Sequence, residues 1–376
     1  MKAGKRIIAL LLTAALLAAP AIAARASELS PAEQMDVSFA KQANCRPGEF
    51  LAQSEWLPAG LSISDWAAFA LAVGGVSEAY DAYLDALEKY VTARYAAEGG
   101  LSSVMATEYH RVALTVLALG GDPRSFGRDE NGEPVDLIAD STWNFAPGVD
   151  KQGINGVIYA LITLDSRGYA TPEGGGFDRA LLLEKLASRQ EPTGGFGLMP
   201  GSEDVDITAM ALTALAPYRE QVPETVDRAL EYLISQLGED GSYVSYREEN
   251  AESVAQVIIA LCALGIDPEK DERFIRSGRT LVDTLADFRL EDGTYSHVMG
   301  DGGDPMSTEQ AVLALTALER LRTGGDWIYD FTNYTLRSGA DRGGKGLYIA
   351  GAAAVVVAAA VIIAAKRRKT HADTDK

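Results

Sequence analysis

The chain has 376 residues and carries 53 Asp and Glu against 34 Lys and Arg, a formal net charge of −19 at pH 7. A field of that sign repels phosphate backbones and anionic lipid, which excludes a nucleic-acid partner. With two cysteines, three histidines and no Cys-x-x-Cys pair, the composition offers no ligand set for a structural zinc, and no metal-binding residues are assigned.

Residues 1–26 read as a secretory signal peptide. Lys2, Lys5 and Arg6 precede an apolar run from Ile7 to Ala23, and small-x-small cleavage sites follow Ala23 and Ala26. Residues 27–337 form the body. Within it an apolar helical phrase built on small side chains recurs six times, with matching last apolar positions at Val73, Leu119, Leu164, Leu215, Leu264 and Leu318. The interval of roughly 50 residues marks one supersecondary unit stacked repeatedly. Between the copies lie more amphipathic segments. Residues 77–95 and 177–189 are two of them, and Val226, Leu230, Leu233 and Leu237 after Pro223 make a third. Helices apolar on every side belong to an inner layer, and helices with one wet face to an outer one. Residues 338–346 are a Gly-rich tether. Residues 347–365 are uncharged and apolar, long enough for a single transmembrane helix, and the basic tail 366–376 holds the C-terminus inside. The expected localisation is a single-pass type I protein of the cell membrane with an extracellular body. In that oxidising setting Cys45 and Cys262 either form a disulfide or remain two separate thiols.

Gly-rich turns precede the inner helices, and after each comes a polar cluster. Thr107, Ser253 and Ser307 are candidate N-caps. Asp204 and Asp206 stand at the start of the fourth copy. Asp206 has two readings: a helix N-cap favoured by the dipole, or a carboxylate projecting into the mouth of the assembly. In the second reading it is joined as a ligand-binding set by Asp204, Thr208, Tyr109, Tyr243, Gln256 and Gln310. Trp66, Trp143, Tyr246 and Tyr295, near the same helix starts, either stack on a planar ligand or fill the core.

The stretch Gln190…Gly194-Gly195-Phe196…Asp206-x-Thr208-Ala209…Ala211-Leu212, and Gln236…Asp240-Gly241…Ser253…Ala260-Leu261 after it, resemble the prenyltransferase/squalene-oxidase repeat. The resemblance covers about residues 60–325. It implies an all-α fold, an (α/α)6 toroid of six helix pairs, whose inner helices start around one end of a central cavity where ligands bind. The wider superfamily is the terpenoid cyclase and protein prenyltransferase one. Its class II cyclases protonate an isoprenoid with a DxDD motif; here Asp204-Val205-Asp206-Ile207 has Ile at the last position. Its prenyltransferases need a zinc site of Asp, Cys and His, and two positions before Cys262 stands Ala260. The phrase Asp204 to Ala211 is similar to one in the α-domain of cobalamin carriers, and bacterial surface proteins with this repeat match the overall plan. The expected function is therefore a membrane-anchored extracellular binding module. It would capture a small ligand, with a corrinoid as the candidate cofactor, or a surface partner protein, and no catalytic residue is assigned. The alternatives are a terpenoid-cyclase-like enzyme using Asp206 as acid, and a non-catalytic surface scaffold.

Overall fold

A computed structural model describes residues 29–53 and 55–337. The signal peptide, the tether, the apolar run 347–365 and the basic tail lie outside the described residues. Among the described residues no helix is long and apolar enough to cross a membrane.

Among the described residues twelve α-helices alternate strictly between two layers. The outer ones are α1 (Pro31–Gln42), α3 (Tyr80–Glu98), α5 (Leu137–Ser141), α7 (Arg179–Ala187), α9 (Pro223–Gln236) and α11 (Leu281–Asp287). The inner ones are α2 (Ser62–Val73), α4 (Ala106–Ala118), α6 (Ile154–Asp165), α8 (Val205–Leu215), α10 (Ala251–Ala263) and α12 (Pro305–Thr323). Each inner helix packs on the next, α2 on α4 and so on to α12, and α12 packs back on α2. The ring is therefore closed, and the helix pairs form the expected toroid. Because an outer helix returns the chain between inner ones, all six inner helices run the same way.

The sequence dictates the layering locally. In α8 every residue from Ile207 to Leu215 except Met210 is buried, and Ala209, Ala211 and Ala214 let neighbouring backbones approach closely. A leucine in such a helix, such as Leu212, is worth about 2–5 kcal/mol against alanine. Outer helix α9 instead buries only the stripe Val226, Ala229, Leu230, Tyr232 and Leu233. Its first residue is Pro223, whose missing N–H costs nothing at a helix start.

Three two-residue hairpins introduce the last three inner helices: β1 (Phe196–Gly197) with β2 (Glu203–Asp204), β3 (Val244–Ser245) with β4 (Glu248–Glu249), and β5 (Tyr295–Ser296) with β6 (Gly303–Asp304). The chain enters β1 through Gly194, at φ 95°, where a Cβ would lie 2.4 Å from the Arg228 carbonyl oxygen of α9. Only glycine allows that turn to sit on the outer layer. The expected caps are corrected here. Asn250 and Asp304 occupy the N-cap positions of α10 and α12, and Ser253 and Ser307 lie inside those helices as donors to them. Thr107 also lies inside its helix, α4; its N–H and hydroxyl engage Gln152. Both cysteines are free thiols.

One end of the ring is sealed. After α12 the chain crosses the C-terminal ends of the inner helices. Tyr329 stacks on Phe69 of α2 at 5.4 Å, and Phe331 meets the same ring edge-on at 6.0 Å. The Phe331 N–H donates to the Ser166 carbonyl at 2.7 Å, just past α6, and the Arg337 N–H to the Gly120 carbonyl at 2.9 Å, just past α4. The Arg320 guanidinium ties α12 to the Val73 carbonyl of α2 at 2.7 Å. The opposite end, where the inner helices begin, is the mouth.

Candidate active site

The inner helices are buried along most of their length, but five of the six keep a partly exposed side chain about a turn and a half inside the mouth: Trp66, Tyr159, Met210, Gln256 and Gln310. Trp66 of α2 and Tyr159 of α6 meet across the lumen, ring centroids 6.0 Å apart, although their helices are not neighbours in the ring. The Tyr159 hydroxyl lies 3.7 Å from the Met210 sulfur. Gln256 Nε2 donates to Gln310 Oε1 at 3.0 Å. These residues form a floor of aromatic rings, thioether and amide.

Carboxyl groups stand above and beside it. Asp204 is the true N-cap of α8: its Oδ1 accepts the N–H groups of Asp206 (2.9 Å) and Ile207 (3.3 Å), and its Oδ2 accepts the Ser245 hydroxyl at 2.6 Å. Asp206 is therefore not the cap. It sits in the first turn with Oδ1 buried and without a hydrogen-bond partner. Burial, together with the charges of Asp204 and Glu252, pushes its carboxyl up to about 6, against the opposing pull of Ser253 and Ser245. Glu252 of α10 is buried. It accepts His297 Nδ1–H at 2.9 Å and the Ser307 hydroxyl at 2.7 Å. The hydrogen bond to Glu252, with the charges of Glu252, Glu248 and Asp304, raises the affinity of His297 for its proton. Glu309 of α12 is buried with Oε2 unpartnered, and burial plus the charges of Asp304, Glu252 and Asp65 lift its carboxyl well above the usual range. Glu252 thus acts on both Asp206 and Glu309. Among the described residues no group of three or more His, Cys, Asp or Glu is placed to hold a metal ion.

Of the seven expected site residues, the mouth gathers Asp204, Asp206, Gln256 and Gln310. The other three are held by the fold. The Thr208 hydroxyl accepts the Phe196 N–H at 2.9 Å and donates to the Asp204 carbonyl at 2.7 Å, pinning the β1–β2 hairpin to α8. Thr308 repeats the device with Tyr295 and Asp304. The Tyr109 hydroxyl is bonded to the backbone of Ser102, and its ring packs edge-on to Tyr95 and Phe145. The Tyr243 side chain is fully buried. Tyr159, Met210, Glu309 and His297 were not singled out from the sequence. For Tyr159, Met210 and Glu309 the signal was a polar or bulky residue near the start of an otherwise small, apolar helix; His297 lies on the β5–β6 turn and gave no such signal.

The arrangement sets aromatic and thioether side chains beside two carboxyls, each with one buried oxygen that has no hydrogen-bond partner. This is the α/α toroid of the terpenoid cyclase and protein prenyltransferase superfamily. The chain is 27% identical over 250 residues to a drimenyl diphosphate synthase from Streptomyces showdoensis, covering 63% of this chain and 45% of that protein. It is also 27% identical over 248 residues to one from Streptantibioticus cattleyicolor, covering 60% and 46%. The chain thus spans about half the length of the curated relatives it matches. Among solved structures, Candida albicans protein geranylgeranyltransferase-I complexed with GGPP superposes with a TM-score of 0.52 at 13% identity, over 81% of this chain and 99% of that one, a likeness of fold. No protein-family model matches the chain.

These relatives overturn the extracellular binding module, with a corrinoid or partner protein as its cargo. They are terpenoid-cyclase-type enzymes, not carriers, and they favour the catalytic alternative.

Proposed function

We propose that this protein is a terpenoid-cyclase-like enzyme in which the Asp206 carboxyl protonates a carbon–carbon double bond of an isoprenoid held in the mouth. The observation that carries the reading is the Asp206 carboxyl itself: raised to about 6, with an unpartnered oxygen, in an Asp204-x-Asp206 phrase at the mouth of a cyclase-type fold. The Asp206 O–H bond breaks, its proton joins one alkene carbon, and the π pair forms the new C–H bond. The other carbon becomes cationic, and Asp206 is left as carboxylate. Asp204 is committed to capping and to Ser245, so it holds the helix start in place while Asp206 reacts. The rings of Trp66 and Tyr159 present π faces to the developing cation, an attraction worth about 0.5–2 kcal/mol each when desolvated. The cyclised cation then gives up a C–H proton to solvent, the C–H pair forming a new alkene, and Asp206 takes a proton back from solvent, which closes the cycle.

The full-length protein incubated in D2O with a panel of uncharged polyprenes and polyprenyl diphosphates tests this. A cyclised product carrying deuterium is expected from the wild type and not from Asp206→Asn. Turnover that survives in Asp206→Asn overturns the assignment. Glu309 is the second candidate donor, favoured by the burial that lifts its carboxyl well above the usual range and by its unpartnered oxygen. In that case Glu309→Gln, and not Asp206→Asn, abolishes deuterium uptake.

The membrane topology is proposed on the sequence alone: a signal at 1–26, a helix at 347–365 and a body outside the cell. Protease added to intact cells is expected to remove the body and spare the tail.

A further inference from the structure

Among the described residues thirteen large apolar side chains are exposed, and ten of them lie within a few residues of the starts of inner helices. They are therefore all at one end of the ring. Five of the six inner helices contribute. Ile63 lies in the first turn of α2 and Met105 precedes α4; Met199 and Tyr246 sit on the turns of the β1–β2 and β3–β4 hairpins, at 68% and 77% exposure; Met299 precedes β6 and Met306 lies in the first turn of α12. The lateral wall of the toroid has no such cluster among the described residues. Single exposed apolar residues are ordinary, but a crown of ten at one end of a ring is not.

We infer that this crown is the face on which a second copy of the chain docks, mouth to mouth, enclosing the carboxyl groups of both mouths. Two observations select that occupant. First, the ten side chains offer on the order of 900 Å², close to the roughly 800 Å² per partner of a standard stable interface. Second, the β3–β4 hairpin carries both signs side by side, Arg247 next to Glu248 and Glu249. A two-fold axis lets each copy's cation meet the other's anions. The chain leaves the described body at Arg337, on the sealed end, so the crown faces away from that point. Four of the crown side chains are methionines, whose flexible thioethers adapt to a partner surface. Docking has a consequence for the proposed chemistry, on which the functional meaning of the contact rests. It expels water from above Asp206, where a carbocation otherwise captures it.

Sedimentation velocity of the full-length protein without substrate tests the contact separately from the activity. A reversible dimer is expected. Met199→Glu and Tyr246→Glu are each expected to weaken it by about tenfold or more. Val37→Glu, on the exposed face of α1, is expected to leave it unchanged. A monomer at every concentration and salt overturns the proposal, as does a dimer indifferent to both crown variants. A monomer that co-sediments with phosphatidylcholine vesicles through Met199 and Tyr246 assigns the crown to lipid and overturns it too. If dimerisation fails while Asp206→Asn still abolishes deuterium uptake, the acid assignment stands without the contact.

Discussion

Asp206→Asn is expected to make the protein more stable while removing the proposed proton donor. The native carboxyl binds its proton up to about pH 6, whereas an unfolded aspartate lets go near 3.8. The native state therefore holds the neutral form better than the unfolded chain does. Its contribution to stability is complete below pH 3.8, falls as pH rises through 6, and is fully lost above that. The gap of about 2 pH units sets a ceiling of about 3 kcal/mol. Because the residue is partly open to the mouth, solvent screening brings the expected gain at pH 8 down to about 1–2 kcal/mol. Asparagine keeps the side-chain volume and removes the charge that Asp204 and Glu252 oppose. Urea unfolding at pH 8 and at pH 4 measures the effect: the midpoint should rise at pH 8 with unchanged slope and should not move at pH 4. An Asp206→Asn protein no more stable than wild type at pH 8 refutes the electrostatic account of the site.

Asp36 and Glu78 are a second buried carboxyl pair, between α1 and α3, held by the N–H groups of Gly48, Phe50 and Leu51. Burial, and then Glu78, raises Asp36 to about 7, so stability is expected to decline between pH 4 and pH 7, and Asp36→Asn should flatten that decline in a thermal melt series. Thr208→Val leaves the buried Phe196 N–H without its acceptor and is expected to cost about 1–3 kcal/mol in denaturant unfolding. Arg111→Met strips the buried Asp65 of its 2.9 Å partner. It should cost about 3–5 kcal/mol by the same assay, and a cost under about 1 kcal/mol would show that Tyr83 and Gly60 suffice to hold that carboxylate.

The ring was legible in the sequence because its cause is periodic. Ala-rich phrases such as that of α8 are apolar all round, so they need neighbours on every side, and only a closed inner layer supplies them. Asp204 and Asp206 were legible as a pair, but not which of them caps. That depends on where the β1–β2 hairpin ends, and the hairpin is set by Gly194 packing on α9 and by the Thr208 hydroxyl, contacts twelve or more residues apart. Thr208 and Tyr109 looked like ligand groups because they are polar residues beside a mouth. Their hydroxyls are taken by backbone groups that sequence spacing does not reveal.

Tyr159 and Glu309 were not legible as site residues because their importance comes from the lumen, not from the helices that carry them. On α6 a tyrosine among isoleucines and leucines reads as one more core residue. Only ring closure brings it opposite Trp66, which lies far away in sequence. Glu309 sits among Ser307, Thr308 and Gln310 and reads as an ordinary polar helix start. Ring closure buries it and surrounds it with the charges of Asp304, Glu252 and Asp65, contributed by three different inner-helix starts. The same closure that hides its oxygen from water makes the charged form costly, and so keeps the proton on it. A carboxyl with a strengthened hold on its proton is a property of the assembled ring. It arises where the inner-helix starts converge, which is why the unpartnered carboxyls gather at the mouth.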